Sequence, residues 1–170
     1  MAIHMSRQRV KVFIGIGSNL DNPIEHVLLA LNDIEKIADT QLLNQSSLYR
    51  SAPIGPPDQP HYINAVAVVQ TQLTAIQLLM ELQTIENKHG RKRTDIRWQA
   101  RTLDLDLLIY GESIINEQSL KVPHPQISKR NFVLYPLHEL EPSLTIPTQG
   151  QVSKLLQQCD QGDIIKLELV

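Results

Sequence analysis

The sequence predicts an α+β domain in which one antiparallel sheet carries helices packed on it. Two observations lead to this prediction: stretches of alternating apolar residues are interleaved with stretches of helical apolar spacing, and the predicted strands are rich in valine and isoleucine. The chain has 170 residues, of which 42% are hydrophobic and only 4% aromatic. We therefore expect a single domain with an aliphatic core.

The first predicted unit is a strand, a turn and a helix. Residues 10–16 alternate as a strand with one aliphatic face does. Asn22, Pro23 and Glu25 then predict an N-cap, a proline at the first helical position and a capping-box acid. Apolar residues follow at helical spacing as far as residue 38.

A second unit repeats this order in the middle of the chain. Three further strands are predicted at 41–49, 62–71 and 103–110. A loop with four prolines in residues 53–60 follows the first of these strands, and we call 51–61 the proline loop. Thr74 and Gln77 predict a capping box ahead of the second helix, which Gly90 ends.

The remaining elements are a small hairpin, two short helices and an edge strand, predicted at 114–122, 131–140, 152–158 and 164–170. Strand–helix–strand thus occurs twice before them, which is the order of a ferredoxin-like split βαβ sandwich with a C-terminal appendix. We expect the helices on one face of the sheet. Residues 10–170 are expected to form the domain, and residues 1–9 to be a leader or a cloning remnant.

Charge and composition exclude several classes of protein. The net charge is −2, which argues against a dedicated nucleic-acid or membrane-surface binder. No apolar run approaches the ~20 residues of a membrane span. The single cysteine, Cys159, rules out an internal disulfide. A reducing cytoplasm is the expected compartment.

Asp104 and Asp106 form the sharpest candidate site. On a strand they share one face, and their carboxylates lie roughly 7 Å apart along the chain. Oxygen ligands suit Mg²⁺, and two ions ~3.5–4 Å apart fit between the carboxylates. The alternative is an edge strand with two solvated carboxylates, although like charges on one face are unfavourable unless a cation offsets them.

Residues 86–101 carry a net charge of +4 and the only tryptophan, Trp98. Arg91, Arg93 and Arg101 lie in this segment, which ends directly before the two aspartates. Arginine forks next to metal-binding carboxylates are what a polyphosphate site requires. A solvated charged surface is the alternative interpretation.

Four more polar residues are candidates for the same site. Glu86 and Gln83 lie one turn apart on the second predicted helix, on the side that the arginine segment approaches. An ordinary surface pair is the alternative. Two prolines flank His124 and hold it in one place, where it can donate to a phosphate or be a simple turn histidine. Arg130 directly precedes the next helix and is another candidate phosphate contact.

Tyr62 and Asn64 share a strand face directly after the proline loop. An aromatic plane with a carboxamide suits a flat heterocycle, because one group stacks and the other reads the polar edge. Phe132 could supply a second ring. The alternatives are an aromatic plug beside a turn asparagine, and a core residue of the helix.

Together, three motifs resemble the 6-hydroxymethyl-7,8-dihydropterin pyrophosphokinases of folate biosynthesis. They are FIGIGSNL at 13–20, DQPHYINA at 58–65 and RTLDLD at 101–106. VPHP at 122–125 and Arg130 with Phe132 agree in order and spacing, so the resemblance covers roughly residues 10–140. This sequence departs from the family pattern at 99–100 and at 51–52.

The resemblance implies transfer of the pyrophosphoryl group of ATP to the pterin hydroxymethyl oxygen, with release of AMP. It implies that the catalytic residues are Arg91, Arg101, Asp104 and Asp106, the last two holding two Mg²⁺ ions. It implies ATP contacts from Gln83, Glu86, Arg91, Arg93, Trp98, Arg101, Leu107, His124 and Arg130. It implies pterin contacts from Ser51, Pro53, Ile54, Tyr62, Asn64, Trp98 and Phe132.

The expected partners are therefore two small molecules, ATP and hydroxymethyldihydropterin, bound by a monomer with no nucleic-acid or membrane partner. Two other functions stay open on the residues alone. A ferredoxin-like sheet with surface aromatics and a basic segment can bind single-stranded RNA. A metal-dependent phosphohydrolase could use the same two aspartates.

Overall fold

The computed structural model describes residues 7–91 and 100–169. Its elements in chain order are β1 (Val10–Ser18), α1 (Pro23–Glu35), β2 (Thr40–Gln45), β3 (Tyr49–Ser51), β4 (Tyr62–Thr71), α2 (Ala75–Lys88), β5 (Asp104–Tyr110), β6 (Ile115–Asn116), β7 (Lys121–Val122), a 3₁₀ turn (Ile127–Lys129), α3 (Asn131–Leu140), β8 (Thr145–Ile146), β9 (Gly150–Gln151), α4 (Val152–Gln158) and β10 (Ile165–Lys166).

The main sheet has six strands, and every pairing in it is antiparallel. Its order is β10-β3-β4-β1-β5, and β2 also pairs with β4. The units β1-α1-β2 and β4-α2-β5 therefore interleave in the order β2-β4-β1-β5. This arrangement confirms the predicted ferredoxin-like fold.

Helices pack on both faces of this sheet, whereas the sequence analysis predicted one covered face. On the first face, α1 and α2 bury one aliphatic cluster that includes Ile14, Leu31 and Leu82. On the second, α3 and α4 bury another that includes Val68 and Leu134. We call these the closed face and the open face, because the helices of the second leave one end of the sheet uncovered.

A β-bulge in β5 controls which side chains reach the open face. The pairing with β1 shifts between Phe13 and Ile14, so Leu108 is the extra residue on β5. Before the bulge, alternation directs Asp104 and Asp106 to the open face and the intervening leucines to the closed one. The predicted sharing of one face by the two aspartates is thus confirmed.

β2 and β3 replace the single strand predicted over 41–49. Ser46 N donates to Val66 O at 2.9 Å, while Val66 N donates to the Ser46 hydroxyl at 2.9 Å instead of to a strand carbonyl. A side chain has entered the ladder, so the chain leaves regular pairing and resumes it at Tyr49.

The predicted capping box is correct for α2 and wrong for α1. Gln77 N donates to Thr74 Oγ1 at 3.2 Å, and Thr74 N donates to Gln77 Oε1 at 2.9 Å. Asn22 instead has φ 66°, and its amide donates to the Glu25 carboxylate at 2.8 Å. Helix α1 also ends earlier than predicted, at Glu35. Within the described ranges, no helix has the length and apolar character needed to cross a membrane.

Candidate active site

A cleft lies at the uncovered end of the open face, above β1, β4 and β5. Gly15 and Gly17 of β1 form part of its floor and leave the backbone bare, since neither carries a side chain. Counted together with the solvent in its open mouth, the cleft encloses about 790 Å³. Its lining residues are Gly15, Ile16, Gly17, Ser51, Ala52, Ile54, Tyr62, Asn64, Ala65, Arg101, Asp104, Asp106, Arg130, Phe132 and Val133.

Asp104 lies between two arginines at one end of the cleft. Its Oδ1 is 3.0 Å from Arg91 Nη1, and its Oδ2 is 3.1 Å from Arg101 Nη1. Arg91 also forms an ion pair with Glu86, a residue that is only 2% exposed. Glu86 is therefore no ordinary surface residue, because it and Asp104 hold the same guanidinium group at the end of α2.

Asp106 is less well compensated than its neighbour. Its Oδ2 is 3.8 Å from Arg130 Nη1. Burial raises the pKa of Asp106, and the Asp104 carboxylate raises it further, to about 7, although the nearby arginines oppose this. A bound cation would relieve the repulsion, so this pair of carboxylates fits a hard divalent ion.

The protein by itself supplies few ligands for such an ion. In the part of the chain that the structure describes, no group of three or more His, Cys, Asp or Glu side chains is placed to hold a metal. Mg²⁺ commonly binds one or two carboxylates together with substrate phosphates and water. The arrangement therefore fits a metal that arrives with a phosphorylated substrate.

His124 is neutral at pH 7 and has a defined tautomer. Burial and then Arg130 lower its pKa to about 4, although Asp104 opposes this. Gln126 N donates to His124 Nδ1 at 3.1 Å, so the ring proton resides on Nε2. The backbone is fixed as well, because His124 N donates to Leu108 O at 2.8 Å. The ring can thus donate one hydrogen bond.

The other end of the cleft is aromatic and amide in character. Tyr62 and Phe132 both line it. Asn64 is buried, and its Nδ2 donates to Ser51 Oγ at 2.8 Å. A Cβ added to Gly17 would lie 3.5 Å from Asn64 Oδ1, so this oxygen borders the cleft floor. The predicted combination of ring and carboxamide is present in one place.

Arg130 links the two ends of the cleft. Its guanidinium carbon lies 5.7 Å from the centroid of the Phe132 ring, while Nη1 faces Asp106. A cation over an aromatic face is attracted by the ring quadrupole. Phe132 itself packs against the buried cluster of the open face as well as lining the cleft, so both interpretations of this residue apply.

The other predicted site residues are more scattered. Ile54 lines the cleft and is 43% exposed, whereas Pro53 is half-buried in the proline loop and does not line it. The Leu107 side chain is buried in the cluster of the closed face, and Gln83 is half-buried on α2. Two predicted residues lie outside the described ranges: Arg93 and Trp98.

Asn19 and Ala52 are two residues to which no sequence pattern assigned a role. Asn19 is buried, and its Oδ1 accepts from Arg101 N at 2.8 Å while its Nδ2 donates to Pro60 O at 3.1 Å. It therefore joins the end of β1 to the proline loop and to the start of β5. Its place in the first resembling motif was the only available signal, because these contacts join segments that are distant in the sequence.

The model of the 7,8-dihydro-6-hydroxymethylpterin-pyrophosphokinase (HPPK) family matches residues 13–142. The chain belongs to this family. It is 44% identical over 158 residues to the 2-amino-4-hydroxy-6-hydroxymethyldihydropteridine pyrophosphokinase of Haemophilus influenzae, covering 93% of this chain and 98% of the relative. It is 45% identical over 157 residues to the protein of the same name from Pseudomonas aeruginosa, covering 92% and 96%.

Solved structures agree with the fold. A crystal structure of Plasmodium falciparum HPPK-DHPS A437G with pteroate is similar with a TM-score of 0.73, at 13% identity. The likeness covers 91% of this chain and 41% of that longer one. The resemblance inferred from the motifs is thus confirmed, and the chain is a pyrophosphokinase, as predicted.

Proposed function

We propose that this protein transfers the pyrophosphoryl group of ATP to the hydroxymethyl oxygen of 6-hydroxymethyl-7,8-dihydropterin, yielding the pterin diphosphate and AMP for folate biosynthesis. One observation carries the proposal: a single cleft has paired carboxylates with arginines at one end and two rings with a carboxamide at the other. Membership of the HPPK family supports the same pair of substrates.

Asp104 and Asp106 would hold two Mg²⁺ ions together with the phosphates of ATP. The like-charge repulsion between these carboxylates supports this assignment, since a bound cation would relieve it. Bound there, the ions would neutralise phosphate oxygens and lower the pKa of the attacking hydroxyl.

The cationic residues of the cleft stabilise the charge that moves during transfer. Arg91 and Arg101, held beside Asp104, face the negative charge on the transferred group and on the leaving AMP. Arg130 supplies a further guanidinium group beside Asp106, from the start of α3. His124, neutral and protonated on Nε2, donates a hydrogen bond to a phosphate oxygen.

The remaining ATP contacts follow the family pattern. Glu86 acts through Arg91, because its carboxylate fixes that guanidinium group beside Asp104. We assign the other nucleotide contacts to Gln83, Leu107, Arg93 and Trp98. Leu107 would act through its backbone, since its side chain packs in the core of the closed face.

The aromatic end orients the pterin so that its hydroxymethyl oxygen points towards the phosphates. Tyr62 and Phe132 supply ring surfaces, and Asn64 reads the polar edge of the heterocycle with Oδ1 while Ser51 holds its Nδ2. Positioning of this kind supplies much of the acceleration in phosphoryl transfer, where little covalent work falls to the protein. Pro53, Ile54 and Trp98 complete the assigned pterin contacts.

Product analysis tests this proposal. Purified protein is incubated with ATP and Mg²⁺, with or without hydroxymethyldihydropterin, and AMP and inorganic phosphate are quantified. We expect AMP and the pterin diphosphate in equal amounts, and only when the pterin is present. Failure to form AMP on adding the pterin would refute the proposal. Release of inorganic phosphate without pterin would instead indicate a phosphohydrolase.

A further inference from the structure

The C-terminal appendix contacts the rim of the cleft rather than standing apart from it. Residues 160–167, which we call the brace, form a loop followed by the short edge strand β10. Leu167 N donates to Leu48 O at 2.8 Å, and Ile165 and Lys166 pair with β3. The brace thereby extends the sheet next to the strand that carries Ser51.

The loop of the brace reaches three segments of the cleft rim. Asn131 Nδ2 donates to the backbone carbonyls of Asp160 at 3.2 Å and Gln161 at 2.8 Å. Ala52 N donates to Asp163 Oδ1 at 3.2 Å, and His61 Nε2 is 3.7 Å from Asp163 Oδ2. One loop therefore joins α3 to both ends of the proline loop.

Each rim residue that the brace holds is the sequence neighbour of a residue assigned to the pterin. Ala52 follows Ser51, His61 precedes Tyr62, and Asn131 precedes Phe132. Ser51 and Tyr62 lie on strands, and Phe132 lies in the first turn of α3. Because a backbone shift at one residue moves the next, the brace controls the spacing between the cleft walls.

We propose that the brace is a positioning element for the pterin end of the cleft, and that Asn131 and Asp163 are its positioning residues. This inference rests on the proposed function for the identity of the ligand. The exposed pair of His61 and Asp163 contributes little by itself, since both side chains are more than half exposed. The effect comes from the hydrogen bond that Ala52 N donates to Asp163 and from the two that Asn131 donates to backbone carbonyls.

Four variants test the role of the brace. Asp163→Ala removes the acceptor for Ala52 N, whereas Asp163→Asn retains it. Asn131→Asp replaces the donating amide with a carboxylate oxygen, which faces the two carbonyl oxygens and cannot donate to them. The helix itself is not weakened, because an acidic residue in the first turn of α3 is favourable. Glu168→Ala removes an exposed acid just beyond the brace and is the matched control.

Two dissociation constants are measured for each variant: that of a non-hydrolysable ATP analogue with Mg²⁺, and that of hydroxymethyldihydropterin in the presence of this analogue. We expect Asp163→Ala and Asn131→Asp to weaken pterin binding about three- to tenfold and to leave the constant of the ATP analogue within about twofold. Asp163→Asn should recover pterin binding, and Glu168→Ala should match the unaltered protein. Unchanged pterin binding, or equal weakening of both ligands, would overturn the inference.

Hydrogen exchange separates this inference from the proposed function. In the ligand-free protein, Asp163→Ala should speed exchange at the Ala52 amide and in the proline loop, while Asp163→Asn should not. If the unaltered protein bound no pterin, the proposed function would fail, and exchange would still report on the brace. Unchanged exchange at Ala52 in Asp163→Ala would refute the mechanical link itself.

Discussion

The closed and open faces of the sheet are built from the same strands, yet only the open face combines its core with a site. On the closed face, β1 contributes Ile14 to a continuous aliphatic cluster with α1 and α2. On the open face the same strand contributes Gly15 and Gly17, and β5 contributes Asp104 and Asp106. Both faces bury aliphatic clusters, but the open face also keeps space and charge that packing alone would remove.

Removing a carboxylate from the open face should give the largest effect. Asp106→Asn is expected to lower AMP formation by roughly 10²–10³-fold, because a charged group that organises the phosphates is lost. The same change should raise the free energy of unfolding at pH 7 without Mg²⁺ by about 1 kcal/mol, a value discounted because the side chain is 35% exposed.

The size of that stability change depends on pH. The raised pKa of Asp106 means that its ionisation disfavours the folded state increasingly between its ordinary pKa near 3.8 and about 7. The gain from Asp106→Asn should therefore vanish below about pH 4. Denaturant unfolding at several pH values measures this gain, with Glu168→Gln as the control.

The activity of Asp106→Asn is measured as AMP formation. Activity equal to that of the unaltered protein would contradict the proposed metal role.

A cavity on the closed face should affect stability without affecting the site. Leu82 is fully buried on α2, so Leu82→Ala should lower the free energy of unfolding by about 2–5 kcal/mol. Met80, which is 61% exposed on the same helix, supplies the control. Met80→Ala should change the free energy of unfolding by about 0.5 kcal/mol or less. Pterin affinity of the folded Leu82→Ala protein should be unchanged; a marked loss would mean that the two faces are coupled.

Filling the floor of the cleft on the open face should weaken pterin binding more than it affects stability. A Cβ at Gly17 would meet Asn64 Oδ1 at 3.5 Å and Tyr62 Cδ1 at 3.8 Å, which are ordinary contacts. Gly17→Ala should therefore be tolerated, whereas the methyl groups of Gly17→Val occupy the cleft and should weaken pterin binding about 10- to 100-fold. Calorimetric titration compares the two. Equal affinity in both variants would place the pterin away from this floor.

The smallest expected effect concerns how α3 is attached. Burial alone would raise the pKa of Glu139, but hydrogen bonds from the Tyr49 hydroxyl and from the Ser47 amide and hydroxyl outweigh burial and lower it. Its contribution is thus present above its ordinary pKa of 4.5 and is lost as pH falls through the lowered value.

Glu139→Gln should cost about 1 kcal/mol in the free energy of unfolding at pH 7, and less in acid. Glu168→Gln, which removes an exposed acid outside α3, is the comparison variant. Urea unfolding at pH 7 and pH 4 measures the difference. A loss that stayed constant with pH would show that the charge of Glu139 is not what attaches α3.

Much of this architecture could be predicted because its signals are local. The valine-rich run of β4, the capping box of Thr74 and Gln77, and the bounds of α3 all follow from neighbours within a few residues. The pairing of Asp104 with Asp106 on one face was predictable for the same reason. The break at Ser46 was not, because the hydroxyl acts on Val66, twenty residues away.

By itself, the sequence determined the order of strands and helices and the residue types of the site, since periodicity, caps and motifs are read along the chain. Only the tertiary structure decided that helices cover both faces, that Asn19 joins the proline loop to Arg101, and that Glu86 and Asp104 share Arg91. These features depend on the register between segments distant in sequence, and register is set by packing and by bulges such as that at Leu108 rather than by any local pattern.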